Sequence, residues 1–283
     1  KTKKVQKKQP EAPKIIYEEF APVEEQHNII FKPNVGPQTD FLAASEREVL
    51  YGGSAGGGKS YAMLADPLRF MGHPAFSGLL LRHTTEELRE LIFKSQEMYP
   101  KIWPGIKWSE RKMQWTAPSG ARLWMSYLDK EDDVLRYQGL AFSWIGFDEL
   151  TQWPSPFAWN YMRSRLRSTA KDLPVYMRAT TNPGGRGHHW VKKMFIDPAA
   201  YGVSFDATDI ETSEVLRYPA GHEKAGKALF KRKFIPARLR DNPYLAEQGD
   251  YEAMLLSLPE QQRRQLLDGD WDIKEGAAFT EFD

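Results

Sequence analysis

The sequence predicts an α/β fold, a predominantly parallel central sheet flanked by helices, and three observations carry that expectation. Short apolar runs of the buried-strand kind, residues 77–82 (SGLLLR) and 142–147 (FSWIGF), alternate with helical patterns. A glycine-rich run at residues 52–58 stands between a strand pattern and a helix pattern. The 283 residues are 41 % hydrophobic, with 15 Phe, 12 Tyr and 9 Trp, enough for a large core and too many for a disordered chain. At roughly 100–200 residues per domain, this length fits one large domain or two small ones.

The elements follow in order. Residues 1–35 read as a flexible tail, in which Lys1, Lys3, Lys4, Lys7 and Lys8 precede Pro10, Pro13, Pro22 and Pro33 without periodicity. Such a tail can touch phosphate or simply be solvated. Order begins at Gly36-Pro37, with a short helix over 38–45 and a strand over 47–51. A helix then runs from the glycine-rich stretch through Leu64, and Pro67 ends or kinks it. After the strand 77–82, Thr84 and Glu87 make a capping box that opens a helix reaching Met98. Residues 112–115 and 122–127 flank Ala117-Pro118-Ser119-Gly120 as a hairpin. The strand 142–147 ends at Asp148-Glu149, a helix follows Pro156, and the strand 175–180 runs into Thr181-Asn182-Pro183. Residues 244–271 read as two helices. The expected organisation is a tail at 1–35, a core at 36–243, a small helical subdomain or lid at 244–275 and the start of a linker at 276–283.

Composition removes several function classes. Without cysteine there is no disulfide scaffold, thiolate metal site or cysteine nucleophile. Lys and Arg number 39 against 38 Asp and Glu, a net charge of +1, which excludes a uniformly basic coat protein but leaves room for a local basic groove. No stretch approaches the ~20 apolar residues of a membrane span, and KTKKVQKKQP is followed by no apolar run, so it does not read as a signal peptide. The chain lacks an initiator Met and stops at Asp283, so it is expected to be a fragment.

Gly53-Ser54-Ala55-Gly56-Gly57-Gly58-Lys59-Ser60 fits the phosphate-binding P-loop pattern G-x-x-x-x-G-K-[ST]. Glycines let the backbone curl so that its N–H groups face phosphate oxygens, and the start of the next helix adds partial positive charge. Lys59 supplies a point charge for the terminal phosphates, Ser60 a hydroxyl for Mg²⁺, and Tyr61 continues the cofactor-binding stretch. Asp148, at the end of an apolar strand, has the place of the Walker B metal-anchoring aspartate. Glu149 beside it is the natural general base for water attack on the γ-phosphate. Thr180, Thr181 and Asn182 end the next strand, in the crevice where ligands of parallel sheets bind. Gln38 opens a helix ahead of the P-loop, where it could grip an adenine edge or be plain surface.

Together these residues resemble the ATPase part of the large terminase subunit, the DNA-packaging motor of tailed double-stranded DNA bacteriophages. Gly36-Pro37-Gln38 is similar to that family's adenine-binding Q motif, Gly53 to Ser60 to its Walker A, FSWIGFDEL to its Walker B with catalytic Glu149, and Ala179-Thr180-Thr181-Asn182-Pro183 to its coupling motif. Tyr137-Gln138-Gly139-Leu140, Phe234-Ile235-Pro236-Ala237, Asp241-Asn242-Pro243-Tyr244-Leu245 and Leu266-Leu267-Asp268-Gly269-Asp270-Trp271 also resemble it. The resemblance implies a P-loop NTPase using ATP and Mg²⁺ to move double-stranded DNA into a procapsid. It further implies a portal protein and a small terminase subunit as partners, a homo-oligomeric ring on the portal, and work in the host cytoplasm without a membrane. Two departures stand out. Many members carry an Arg inside Walker A, where this chain has Ser54 and Ala55; and the family continues into a nuclease, which would start where this chain stops.

The missing guanidinium has to come from elsewhere, since an arginine finger contributes about 10³–10⁵ in rate. Arg136, on the approach to Walker B, is the first candidate and Arg82 the second. Arg163, Arg165 and Arg167 form a basic cluster that could follow a DNA backbone or be ion-paired. His188-His189 lack the spaced ligands of a zinc site, and most Trp are expected in the core. Two rival readings remain at this level: a helicase or remodelling ATPase, and a nucleotide-gated assembly switch with little turnover.

Overall fold

A strand that is parallel to both its neighbours has helices on both faces, and the central strands here are buried along almost their whole length for that reason. The computed structural model describes residues 31–247 and 249–273. The expectations for the tail through residue 30 and for the linker at 276–283 lie outside the described residues.

Helix α1 (Pro37–Ala43) has its proline in the first turn, where no N–H partner is needed, and buries Gln38 and Phe41. Strand β1 (Glu48–Gly53) is buried at every position and feeds α2 (Lys59–Ala65) through the glycine loop. Pro67 does end α2, the chain tightening into a 3-10 turn over Asp66–Phe70. Strand β2 (Ser77–Arg82) has its expected limits. Helix α3 (Thr85–Ile102) opens on the capping box, Glu87 N–H donating to Thr84 Oγ1 at 3.3 Å and Thr84 N–H to Glu87 Oε2 at 3.4 Å. It outruns Met98 and carries Pro100 in its last turn, because its stripe Leu88, Leu91, Ile92, Met98 and Tyr99 is buried against the sheet and outweighs the proline.

Strands β3 (Lys107–Ser109), β4 (Gln114–Thr116) and β5 (Arg122–Tyr127) pair antiparallel, the expected hairpin plus one strand. Next come β6 (Trp144–Phe147), α4 (Phe157–Arg163), β7 (Tyr176–Thr181) and α5 (His188–Val191). Strands β8 (Ser204–Asp206) and β9 (Lys231–Ala237) follow. The C-terminal stretch holds α6 (Pro243–Ala246), α7 (Asp250–Leu256) and α8 (Glu260–Arg263), the last continuing as a π turn over Arg264–Asp268. It is helical as expected, but Gly249 at φ 69° and Pro259 divide it into shorter pieces than the two helices predicted.

The described residues form one nine-stranded sheet in the order β3-β4-β5-β2-β6-β7-β1-β9-β8. From β5 to β9 every neighbouring pair is parallel, and the antiparallel pairs stand at the two ends. Alternation along β2 divides the core. Leu79 and Leu81 pack with Ile145, Phe147, Trp159 and Phe195, whereas Leu80 packs with Met63, Leu64, Leu88 and Trp144. Helices α2 and α3 therefore cover one face, α4 and α5 the other. Trp115, Trp144, Trp153 and Trp159 are buried, as expected of core residues. No helix among the described residues is long and apolar enough to cross a membrane.

Two further features differ from expectation. Phe31 packs against the core and Asn34 N–H donates to Gln38 Oε1 at 2.7 Å, so the packed chain begins before Gly36. Strand β9 contains Pro236, which argues against a strand in sequence. It is tolerated because β8 covers β9 only as far as Lys233, leaving Pro236 with one neighbouring strand.

Candidate nucleotide site

The chemistry-bearing residues collect where parallel strands end: the glycine loop after β1, Arg82 at the end of β2, Asp148 and Glu149 after β6, Thr180 and Thr181 closing β7, and Asn182 just beyond. The glycine loop is held by its carbonyls. Tyr51 OH donates to Gly57 O at 2.8 Å, Gln38 Nε2 to Gly58 O at 2.9 Å, and Asn242 Nδ2 to Gly56 O at 2.7 Å. Two of its first amides are anchored as well, Ser54 N–H to Ala237 O at 2.8 Å and Ala55 N–H to Leu266 O at 2.6 Å. The N–H groups of Gly56, Gly57, Gly58, Lys59 and Ser60 meet no protein acceptor among the described residues. Carbonyls fixed outward and amides left free make an anion cradle at a helix start. Gly53 is required here by close approach, since a Cβ would lie 2.3 Å from Ala237 O.

Lys59 is buried, and its Nζ donates to Ser54 O and Asn182 Oδ1, each at 2.7 Å. Burial lowers its pKa, against the opposing pull of Glu149 and Asp148. Asp148 is 1 % exposed; its Oδ1 accepts from Thr180 Oγ1, and its Oδ2 lies 3.2 Å from Arg82 Nε. Glu149 is held at φ 61°, a left-handed conformation that a non-glycine residue adopts at a cost. Its N–H donates to Thr180 Oγ1 at 3.4 Å, and its Oε2 accepts from Asn182 N–H at 3.3 Å. Burial pushes the Glu149 carboxyl up, with Lys59 pulling it down and Asp148 adding to the rise. A carboxylate made more basic in this way is suited to take a proton from water.

Whether Mg²⁺ fits follows from the oxygen donors. Asp148 Oδ2 is buried without a hydrogen bond, and the Ser60 hydroxyl has no hydrogen-bond partner among the described residues. Both are hard oxygen ligands of the kind Mg²⁺ takes. No cluster of three or more His, Asp or Glu able to cage a metal exists among the described residues. The residues fit an Mg²⁺ that keeps waters and takes phosphate oxygens, as this ion does with nucleotides.

The β7 end is wired to its neighbours. Thr181 Oγ1 and Thr151 Oγ1 are 2.7 Å apart, and Gly187 N–H donates to Thr151 O at 2.7 Å. Further on, His188 Nδ1 accepts from Gly184 N–H at 2.8 Å and its Nε2 lies 3.2 Å from Trp271 O. Asn182, which touches Lys59 and Glu149, is thus linked through the following loop to the C-terminal segment. That segment in turn holds the P-loop through Leu266.

The family described as terminase large subunit, T4likevirus-type, N-terminal, matches residues 50–283. The chain belongs to this family. Its fold is shared with the large terminase of a thermophilic bacteriophage solved in complex with ADP, at 18 % identity and a TM-score of 0.57, over 83 % of this chain and 52 % of that one. A second crystal form of the same bacteriophage protein matches with a TM-score of 0.60 at 17 % identity, over 89 % and 57 %. The large terminase ATPase domain of Thermus phage P74-26 matches at 13 % identity and a TM-score of 0.55, over 85 % and 94 %. The chain spans about half the length of the ADP-bound large terminase. No curated protein matches it in sequence.

In this terminase chain several predicted residues lie away from the cluster. Arg136 donates from Nε to Asp133 O at 3.0 Å, pairs with Asp133 Oδ1 at 3.1 Å and covers the Tyr127 ring, so its own chain does not bring it to Asp148 or Glu149. Tyr61 is half-exposed beside Lys94. The three-arginine cluster is not one surface. Arg163 pairs with buried Glu48, Arg165 donates to Ser164 Oγ, and Arg167 to Gly139 O; α4 ends at Arg163, so the other two are off the helix. Asn34 and Asn242, which brace the Q-motif side of the loop, escaped sequence reading. Only the Asp241-Asn242-Pro243 resemblance pointed toward one of them.

Proposed function

We propose that this chain is the ATP-hydrolysing motor part of a large terminase, using Mg²⁺-ATP to move double-stranded DNA into a procapsid. The observation that carries the reading is Lys59, buried at the mouth of a free amide cradle and bound to Asn182, with Asp148 and Glu149 beside it. The amides of Gly56, Gly57, Gly58, Lys59 and Ser60 would bind the phosphates, with Gln38 and the flanking Gly53, Ser54, Ala55 and Tyr61 shaping the pocket. Held by Ser60 and Asp148, Mg²⁺ would offset charge on the phosphate oxygens. Glu149 would accept the proton of the attacking water. Loss of the γ-phosphate would free Lys59 to return to Asn182, and Thr180, Thr181 and Asn182 would pass that change toward α5 and the C-terminal segment.

Partners follow from the same reading: DNA, a portal protein, a small terminase subunit, and further copies of the chain in a ring formed in the host cytoplasm. Arg136, exposed and near the Walker B approach, would then reach a neighbouring subunit's site. Residues 244–275 would act as a lid subdomain, and a nuclease would belong to the remainder of the protein.

The test is ATP turnover with and without duplex DNA. Glu149→Gln should lower the rate by about 10²–10⁴-fold while nucleotide binding persists. Equal, slow hydrolysis by wild type and variant would instead favour an assembly switch. ATP-driven strand separation in place of movement along intact duplex would favour a helicase.

A further inference from the structure

We propose that Arg82 is the in-cis cation of the γ-phosphate site, a guanidinium that rests against Asp148 and transfers to the γ-phosphate when nucleotide and metal enter. This deepens the ATPase reading above and rests on it.

Arg82 is the last residue of β2, whose register pairs Leu81 with Phe147 and so sets Arg82 beside Asp148. The residue is 9 % exposed. Its Nε lies 3.2 Å from Asp148 Oδ2, yet Nε and Nη1 are both buried without a hydrogen bond, and so is that carboxylate oxygen. A buried guanidinium with unsatisfied donors is costly, and a well-packed core would not keep one without an anion to complete it. Among the described residues, the groups that could complete it do not. Asp148 engages it as a charge without alignment, while Thr180 already donates to the other Asp148 oxygen.

The entering ligand supplies what is missing. Mg²⁺ held by Asp148 would compete with Arg82 for that carboxylate, and a terminal phosphate offers the planar oxygen pairs that a guanidinium matches. Charge points the same way. Before nucleotide binds, Lys59 and Arg82 face Asp148 and Glu149. A triphosphate brings more negative charge than its single metal offsets, so a guanidinium released from Asp148 is drawn to it. Walker A has Ser54 and Ala55 and can contribute no guanidinium of its own. Arg136 is held by Asp133 on the same chain. Arg82 is the residue already inside the site.

The experiment compares wild type, Arg82→Ala and Arg82→Lys for Mg²⁺-dependent affinity toward ADP and toward a non-hydrolysable ATP analogue, and for single-turnover hydrolysis at several protein concentrations. The expected result for Arg82→Ala is ADP affinity within about 3-fold of wild type, analogue affinity reduced about 10-fold, and hydrolysis reduced about 10²–10³-fold at every concentration, the loss typical of one transition-state donor. Arg82→Lys should recover analogue affinity but not rate, because an ammonium lacks the fork. Equal weakening of ADP and analogue would reduce Arg82 to a packing role and overturn the proposal, as would an unchanged rate. Mixing Arg82→Ala with Glu149→Gln decides between cis and trans. No recovery of rate is expected, and recovery would overturn the in-cis assignment. Should Arg82→Ala fail to fold, Arg82→Lys with the same two ligands decides alone: unchanged analogue affinity together with wild-type rate would refute the fork. A wild type that binds neither nucleotide would refute the ATPase reading itself, a result distinct from all of these.

Discussion

At Glu149 a single residue combines a left-handed backbone, partial burial and a carboxyl that desolvation pushes toward its neutral form. The strain and the desolvation are retained because Asn182 N–H and Thr180 Oγ1 fix the residue from the neighbouring strand. With its folded pKa above the unfolded one, Glu149 favours folding below the ordinary carboxylate range, and that contribution is lost as pH rises through the folded value. Glu149→Gln mimics the neutral form. Its melting temperature should therefore match wild type near pH 4 and exceed it increasingly toward neutral pH, in thermal melts without nucleotide. A difference independent of pH would mean that burial of charge is not what strains the site. Gly269 gives a second residue-scale test. It has φ 64°, and a Cβ there would stand 2.7 Å from Ser54 N, so Gly269→Ala should displace the loop and weaken ADP binding in a direct titration.

Among the elements, β1 carries more than the P-loop. Its first residue, Glu48, is buried and pairs with Arg163 from α4 and with Arg232 from β9, the latter at 2.8 Å. Burial alone would raise the Glu48 pKa, but the two guanidinium groups outweigh it and hold the carboxyl below its usual range. Its contribution is present above the unfolded pKa and disappears as pH falls through the folded one. Glu48→Gln should cost about 3–5 kcal/mol in urea unfolding at pH 7, by leaving the buried Arg232 and the partly buried Arg163 without their counterion. The gap to wild type should close under acid conditions. This triad also explains why Arg163 is not part of a DNA-facing stripe. Spacing puts it in a basic run, but the crossing of three elements puts a buried carboxylate within its reach.

Over the whole molecule, the C-terminal segment belongs to the nucleotide site as much as to the core. Leu266 O holds Ala55 N–H, Trp271 is 2 % exposed and stacks on His188 at 5.4 Å, and Ile273 is buried too. Trp271→Ala should destabilise the fold by about 3–5 kcal/mol and also lower nucleotide affinity, read by melts and by titration with ADP. A loss of stability with unchanged affinity would separate the two roles. Much of this architecture was legible beforehand. The glycine loop, the Asp148-Glu149 strand end, the Thr84 capping box and the order of alternating elements all rest on local periods and backbone needs. These survive into the fold because each is decided within a few residues. Strand β9, the third C-terminal helix and the bracing by Asn34 and Asn242 were not legible, since they depend on which strand lies alongside and what a carbonyl faces. The same holds for the two arginines. Sequence position favours Arg136, close to Walker B along the chain, whereas the parallel pairing of β2 with β6 brings Arg82 to Asp148 across a separation of 66 residues. By itself the sequence determined the chemistry available, a phosphate cradle, a metal carboxylate and a base, because those groups and their spacing are covalent. Only the tertiary structure decided which cation stands among them, because parallel strands set side chains next to each other without regard to their distance in sequence.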